Sequence, residues 1–414
     1  MIVPGFIDAG TGLGFGGNLS RVTISTKLGE QLAADDPAIQ FARQGGVTTG
    51  VFVSSSSPSP MLAFKLGDVP RLLKEPIAIR FSMSTNLTTG VPGLKRTLTS
   101  AKAYADSWTK YEKDLAEYQT KLKAYQVELA KYEAAKRVAD AKKAAEAKKA
   151  AAEKSAADKS KSSDEKKEDS KTASDKPKSD SSDEAKEKKD ESKKPDDDKS
   201  KSSSSNSKTT TSKSTASDPK APAKPTEPKK PRTSSTSEPY RALMAGKIPA
   251  VVEARSVNAI KAVVKLFRED FSIRLILANS PDVYRVPELL AKHDVELMLG
   301  PELVRSIDNK RINLPQIAAN QQIGMAFRSG ATTGAQQLPL AVQYAVFRGL
   351  STEDALAGFT QSAANMLSLD QTIGSIEPGK DADLVVLSGP PFEPSSQVLA
   401  VMIDGIWVFE KGAE

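Results

Sequence analysis

Short apolar runs recur along the chain, separated by stretches with helical spacing. Eight of them read as strands: IVPGFI (2–7), VTTGVFV (47–53), MLAFK (61–65), IAIRFS (77–82), IPAVVE (248–253), IRLILAN (273–279), VELMLG (295–300) and IGMAFRS (323–329). Apolar positions three and four apart predict helices in DPAIQFARQG (36–45), SVNAIKAVVKLFRED (256–270), PDVYRVPELLAKH (281–293), LPLAVQYAVFRGL (338–350) and STEDALAGFTQSAANML (351–367). In the last, Ser351 is placed to cap with Asp354. Strands alternating with helices predict βα units and a parallel sheet, and eight such strands fit an α/β fold of the (β/α)8 barrel type. A doubly wound sheet fits the same alternation. After residue 370 the pattern changes: LVVLS (384–388), VLAVMID (398–404) and IWVFE (406–410) are short, close together and joined by glycine and proline turns, which predicts a small β-module.

Between the fourth and fifth strands lies a long interruption. From residue 101 the sequence runs in heptads. Trp108, Leu115, Leu122 and Leu129 hold one position, Tyr104 leads in, and Tyr111, Tyr118, Tyr125 and Tyr132 follow three residues after each. This predicts an amphipathic helix whose edge needs covering, by a second copy, by the protein's own barrel or by another protein. A bulky residue with a hydroxyl at a repeated core position argues against a tight zipper. Beyond Tyr132 the alanine- and lysine-rich sequence still favours helix but has no apolar face. No Leu, Ile, Val, Met, Phe, Trp or Tyr occurs between Val138 and Tyr240, so that stretch brings nothing large to a core. The expected organisation is therefore a first barrel part at 1–98, a long heptad-bearing helix at 99–159, a disordered Ser/Lys/Asp/Pro-rich linker at 160–238, a second barrel part at 239–369 and the β-module at 370–414.

Composition removes several classes of function. The net charge of +7 suggests an anionic partner, but residues 141–240 hold 26 Lys and Arg against 20 Asp and Glu, leaving the rest nearly neutral. No nucleic-acid partner is expected. The absence of cysteine excludes disulfides, thiolate metal sites and cysteine nucleophiles. No apolar run reaches the length of a membrane span. No export signal opens this chain, which makes the cytoplasm the default compartment.

Three stretches carry a resemblance. PGFIDAGTGLG (4–14) resembles the first-strand motif of the amidohydrolase superfamily, in which proline, glycine, phenylalanine, isoleucine or valine, and aspartate lead into His-x-His. IGSIEPGKDADLVVLSG (373–389) resembles the return from barrel to β-sandwich, and GLSTEDALAGFTQSAANMLSL (349–369) resembles the last barrel helix. The likeness points to the imidazolonepropionase-like branch and implies a (β/α)8 barrel with a partial β-sandwich. It also implies a metal-dependent hydrolase of C–N bonds other than peptide bonds, in which bound ions activate water at the C-terminal ends of the strands. Relatives place about 50 to 60 residues of β-sandwich before the first barrel strand, so the expectation is that either this chain is part of a longer one or its C-terminal strands pair differently.

The same resemblance locates the metal positions, and they are degenerate. Gly10 and Gly12 stand where the paired histidines belong, Glu253 and Asn279 end the fifth and sixth strands where histidines are expected, and Gly330 falls at the position of the general base on the eighth. No metal and no other cofactor is expected. Asp8 and Glu253 are expected to pair with neighbours such as Arg255 rather than to hold a cation, and Lys65 is assigned no catalytic role. His293, the only histidine, is expected at a surface helix end. GTGLGFGG (10–17) makes a weak phosphate loop because no Lys-Ser or Lys-Thr follows it. The leading reading is an inactive amidohydrolase-like barrel with a structural or partner-binding role, its unidentified protein partner held through the 101–136 helix. Two alternatives stand beside it: an active hydrolase rebuilt around Glu253 as base, and an assembly module working through the tyrosine–leucine helix.

Overall fold

A computed structural model of the chain describes residues 1–15, 22–33, 36–158 and 220–412. Its strands in chain order are β1 (Ile2–Pro4), β2 (Phe6–Thr11), β3 (Val47–Phe52), β4 (Ser59–Lys65), β5 (Arg71–Ser82), β6 (Ala250–Glu253), β7 (Leu275–Ala278), β8 (Glu296–Leu299), β9 (Val304–Ile307), β10 (Lys310–Asn313), β11 (Met325–Phe327), β12 (Leu384–Leu387), β13 (Val398–Ile403) and β14 (Ile406–Glu410). The helices are α1 (Pro37–Gln44), α2 (Leu87–Asp158), α3 (Glu238–Met244), α4 (Val257–Val264), α5 (Pro287–Lys292), α6 (Leu314–Asn320), α7 (Leu338–Phe347), α8 (Thr352–Phe359) and α9 (Gln361–Met366).

All eight expected barrel strands form, in the sheet order β11-β8-β7-β6-β5-β4-β3-β2. The barrel is nearly closed. Gly330 N–H donates to Gly10 O at 2.8 Å, and Ser329 N–H donates to Asp8 Oδ1 at 2.9 Å, tying β2 to the residues that follow β11. One strand departs from the expected repeat. β4 runs antiparallel to both β3 and β5, because the connections on either side are too short to hold a crossover helix. The first expected strand also divides. β2 enters the barrel, while β1 pairs antiparallel with β12 and completes a four-stranded sheet β1-β12-β13-β14, the β-module.

The core has two layers. Ile7, Ala9, Val51, Met61, Val251, Ile276, Met298 and Ala326 fill the barrel, and Ala363, Met366 and Leu367 of the α9 region plug it. Arg274, just before β7, reaches Asn365 O at 3.1 Å, so the plug closes the N-terminal end and leaves the C-terminal mouth for a site. Outside the strands Phe6, Phe64, Ile79, Phe81, Phe267 and Phe327 pack against the helices. The segment expected as one helix at 351–367 breaks at Thr360, whose hydroxyl bonds back to Leu356 O at 2.7 Å. Ser351 Oγ accepts from Asp354 N–H at 3.0 Å, the cap its spacing suggested.

The described residues cluster into two compact units, Met1–Asp114 with Pro228–Glu414, and Leu115–Glu227. α2 begins at Leu87 rather than at residue 99. Gly90, Pro92 and Gly93 look like breakers, but they fall in its first two turns, where Asn86 caps the start by accepting from Thr88 N–H. Of the linker expected at 160–238, residues 160–219 lie outside the described residues. From Lys220 on the chain is described, and every third residue from Pro222 to Ser234 is half-buried.

Candidate functional site

Of the positions singled out by sequence, Asp8, Gly10, Gly12, Glu253, Asn279 and Gly330 lie toward the C-terminal mouth, and Lys65 and His293 do not. Asp8 lies wholly buried in β2; its Oδ1 accepts from Gly10 N–H at 3.1 Å and Ser329 N–H at 2.9 Å, and its Oδ2 has no hydrogen-bond partner among the described residues. Burial raises its pKa against these hydrogen bonds and the nearby Arg328 charge. Gly10 and Gly330 meet through their backbones, and Gly330 takes φ of 71°, which a glycine adopts without strain. The space beside Gly10 belongs to Arg328: a Cβ on Gly10 would stand 2.9 Å from Arg328 Nε and 3.1 Å from Arg328 Cβ. A Cβ on Gly12 would meet Thr332 Oγ1 at 2.8 Å.

Glu253 ends β6 as expected, but its partners differ from those expected. Arg80 of β5 grips both oxygens, with Nε 3.3 Å from Oε1 and Nη2 3.0 Å from Oε2. Arg328 Nη1 lies 3.8 Å from Oε1. Arg255, the neighbour expected to pair with Glu253, is exposed and instead lines a cavity of about 330 Å³ with Asn279, Ser280 and Arg305. Arg80 is held in turn by the carbonyls of Ser55 and Ser56 at 3.2 and 2.7 Å. Burial lowers the Arg328 pKa from its ordinary value, opposed by the Glu253 and Asp8 carboxylates. Arg80 and Arg328 are the residues sequence reasoning missed. Their place at the ends of the fourth and eighth strands was the available signal.

The five positions that the resemblance marks as metal positions offer one carboxylate, Glu253, one amide, Asn279, and three glycines without donors, short of the three or four ligands a bound divalent ion needs. Among the described residues no group of three or more His, Cys, Asp and Glu is placed to hold one. Lys65 is remote from the mouth. Because β4 runs backwards, its last residue lies beside Thr49 near the start of β3, and its ammonium contacts Asp381, Asp383 and Asp404 of the β-module. His293 caps the C-terminal end of α5, with Nε2 3.5 Å from Glu269 Oε1. The glycine-rich loop at 10–17 is described only as far as Phe15.

Residues 272–408 match the model of the Amidohydrolase family. Over 93 residues the chain is 33% identical to an imidazolonepropionase of Picrophilus torridus, an alignment spanning 21% of this chain and 23% of that curated relative's length. The structure superposes on an amidohydrolase from Thermotoga maritima with a TM-score of 0.58 at 20% identity, covering 99% of this chain and 87% of the other. An L-hydantoinase from Arthrobacter aurescens superposes over 41% of this chain and 59% of its own, with a TM-score of 0.33 at 17% identity. The family match covers most of the second barrel part and the β-module, the T. maritima structure shares the fold, and residues 272–408 are those by which the chain resembles the amidohydrolase superfamily.

Proposed function

We propose that this chain is a catalytically silent amidohydrolase barrel in which guanidinium groups have taken the place of the metal centre, and that its role is structural or partner-binding. The observation that carries the reading is the position of Arg328, whose Nε lies 2.9 Å from where a side chain on Gly10 would begin. A ligand at residue 10 and the arginine at 328 compete for one space. Glycine at 10 is then what the arginine requires, and a family histidine there would displace it. The guanidinium also replaces part of the ion's electrostatic role. A divalent cation holds buried carboxylates together, and here Arg80 and Arg328 compensate Glu253 and Asp8.

The rebuilt hydrolase based on Glu253 has less support. A general base must face the water it activates, and both oxygens of Glu253 are engaged by Arg80. The test is turnover of a panel of cyclic amides, amidines and esters by purified protein, with and without added zinc or manganese, beside Glu253→Gln. No turnover above the uncatalysed rate is expected in any sample. Hydrolysis that disappears in Glu253→Gln contradicts the silent reading and restores the enzyme.

A further inference from the structure

The heptad edge of α2 needs a cover, and the chain carries a segment with the matching period. Prolines recur at 222, 225, 228 and 231 in APAKPTEPKKP, one in three, with Ser234 continuing the series. Proline fixes φ near −65°, and such a run favours a polyproline II helix of three residues per turn, which sets all its prolines on one face. Burial follows that face. Pro222, Pro225, Pro228, Pro231 and Ser234 are half-buried, whereas Lys224, Lys229, Lys230 and Arg232 are exposed. On α2 the complementary pattern appears: Trp108 is buried and Tyr104, Tyr111, Leu115, Tyr118, Leu122, Tyr125, Leu129 and Tyr132 are half-buried among exposed neighbours.

The repeats match in length. One heptad of α-helix advances about 10.5 Å and one turn of polyproline II about 9.3 Å, so over four repeats the two drift apart by about 5 Å, under one helical turn. Contacts within the first unit fix the direction. Tyr104 Oη donates to Glu238 at 2.7 Å and accepts from Ser234 N–H at 3.3 Å, while Lys230 Nζ lies 5.8 Å and Arg241 Cζ 4.5 Å from the Trp108 ring centre. Arg241 also bonds Glu112 at 2.9 Å. Moving up the helix from 104 to 108 therefore means moving back along the return segment from 234 to 230. In the second unit the rest of the heptad helix clusters with the segment that holds Pro222 and Pro225.

We infer that the tyrosine edge of α2 is covered by the chain's own proline run, residues 222–231, laid antiparallel along it with prolines seated between the aromatic rings. Extended proline-rich segments dock on aromatic surfaces because little conformational entropy is lost on binding and both partners present flat apolar faces. Tyrosine suits such a groove better than a zipper, since each hydroxyl stays at the margin where it can be solvated or bonded, as in Tyr104. The contact is intramolecular, so it holds at any protein concentration and competes with self-association through the same edge.

The test is amide hydrogen exchange on the full chain, comparing wild type with a variant carrying Pro222→Ser, Pro225→Ser, Pro228→Ser and Pro231→Ser. The expected result is exchange in residues 108–132 at least about 10-fold faster in the variant, with the barrel strands unchanged, which separates loss of cover from loss of fold. Unchanged exchange in 108–132 overturns the inference. A second variant lacking residues 175–215 keeps the proline run and enough chain to return along the helix, and is expected to retain wild-type protection; loss of protection there shows that the deleted stretch is the cover and also overturns it.

Discussion

Lys65 Nζ donates to Asp383 Oδ1 at 2.8 Å, joining the backward-running barrel strand β4 to the residue that leads into β12. The ammonium is fully buried and has two further carboxylates, Asp381 at 2.7 Å and Asp404 at 2.6 Å, while Arg71 bonds the same two aspartates from outside. Burial alone would lower the Lys65 pKa, but the three carboxylates outweigh it and the net direction is up. Lys65→Met leaves Asp383 buried without its cation, so a loss of about 3–5 kcal/mol is expected by urea denaturation, with partial recovery in Lys65→Met, Asp383→Asn. A loss below about 1 kcal/mol contradicts the view that this pair anchors the β-module.

The packing of Arg328 against Gly10 makes a second expectation. Gly10→Ala forces the arginine from its place and costs about 1–3 kcal/mol, the usual range for overpacking. Combining it with Arg328→Ala should cost less than the sum of the two single changes, a coupling read from a double-mutant cycle. Strict additivity means that the two positions do not share one space.

Much of this was legible in the chain and some of it was not. Each of the eight barrel strands carried its apolar run, and the turn into β14 at Asp404 and Gly405 was plain hairpin chemistry. The direction of β4 could have been read as well, since the six residues between Phe52 and Ser59 cannot hold a crossover helix. So could the hairpin of β9 and β10, turned on Asp308 and Asn309 with φ of 49° and 61°. What no local pattern reveals is which charges meet. Arg80 and Glu253 are 173 positions apart and meet only because β5 pairs with β6 across the long insertion, and Lys65 and Asp383 are 318 apart and meet only where the β-module lies against β4.

Asp8 gives the site a dependence on pH. Its folded pKa is raised above the ordinary 3.8 by burial, so the folded state binds this proton more tightly than the unfolded state does. Its contribution to stability is therefore greatest at low pH and is lost as pH rises from about 3.8 through the raised value. Asp8→Asn keeps an oxygen to accept from Ser329 and Gly10 and removes the titration. The stability of Asp8→Asn relative to wild type should rise with pH across that window and then level off, as followed by denaturation at a series of pH values. A difference that stays flat from pH 3 to 8 shows that Asp8 does not titrate differently on folding.

The central claim is that arginine stands where this superfamily keeps its metal, and bound metal per chain tests it most directly. Protein purified without chelator and dialysed against metal-free buffer is analysed for zinc, manganese, iron, cobalt and nickel, beside Glu253→Ala. The expected result is less than about 0.1 equivalent of any divalent metal in both, because fewer than three protein ligands hold such an ion poorly. One equivalent in the wild type that is lost in Glu253→Ala contradicts the claim.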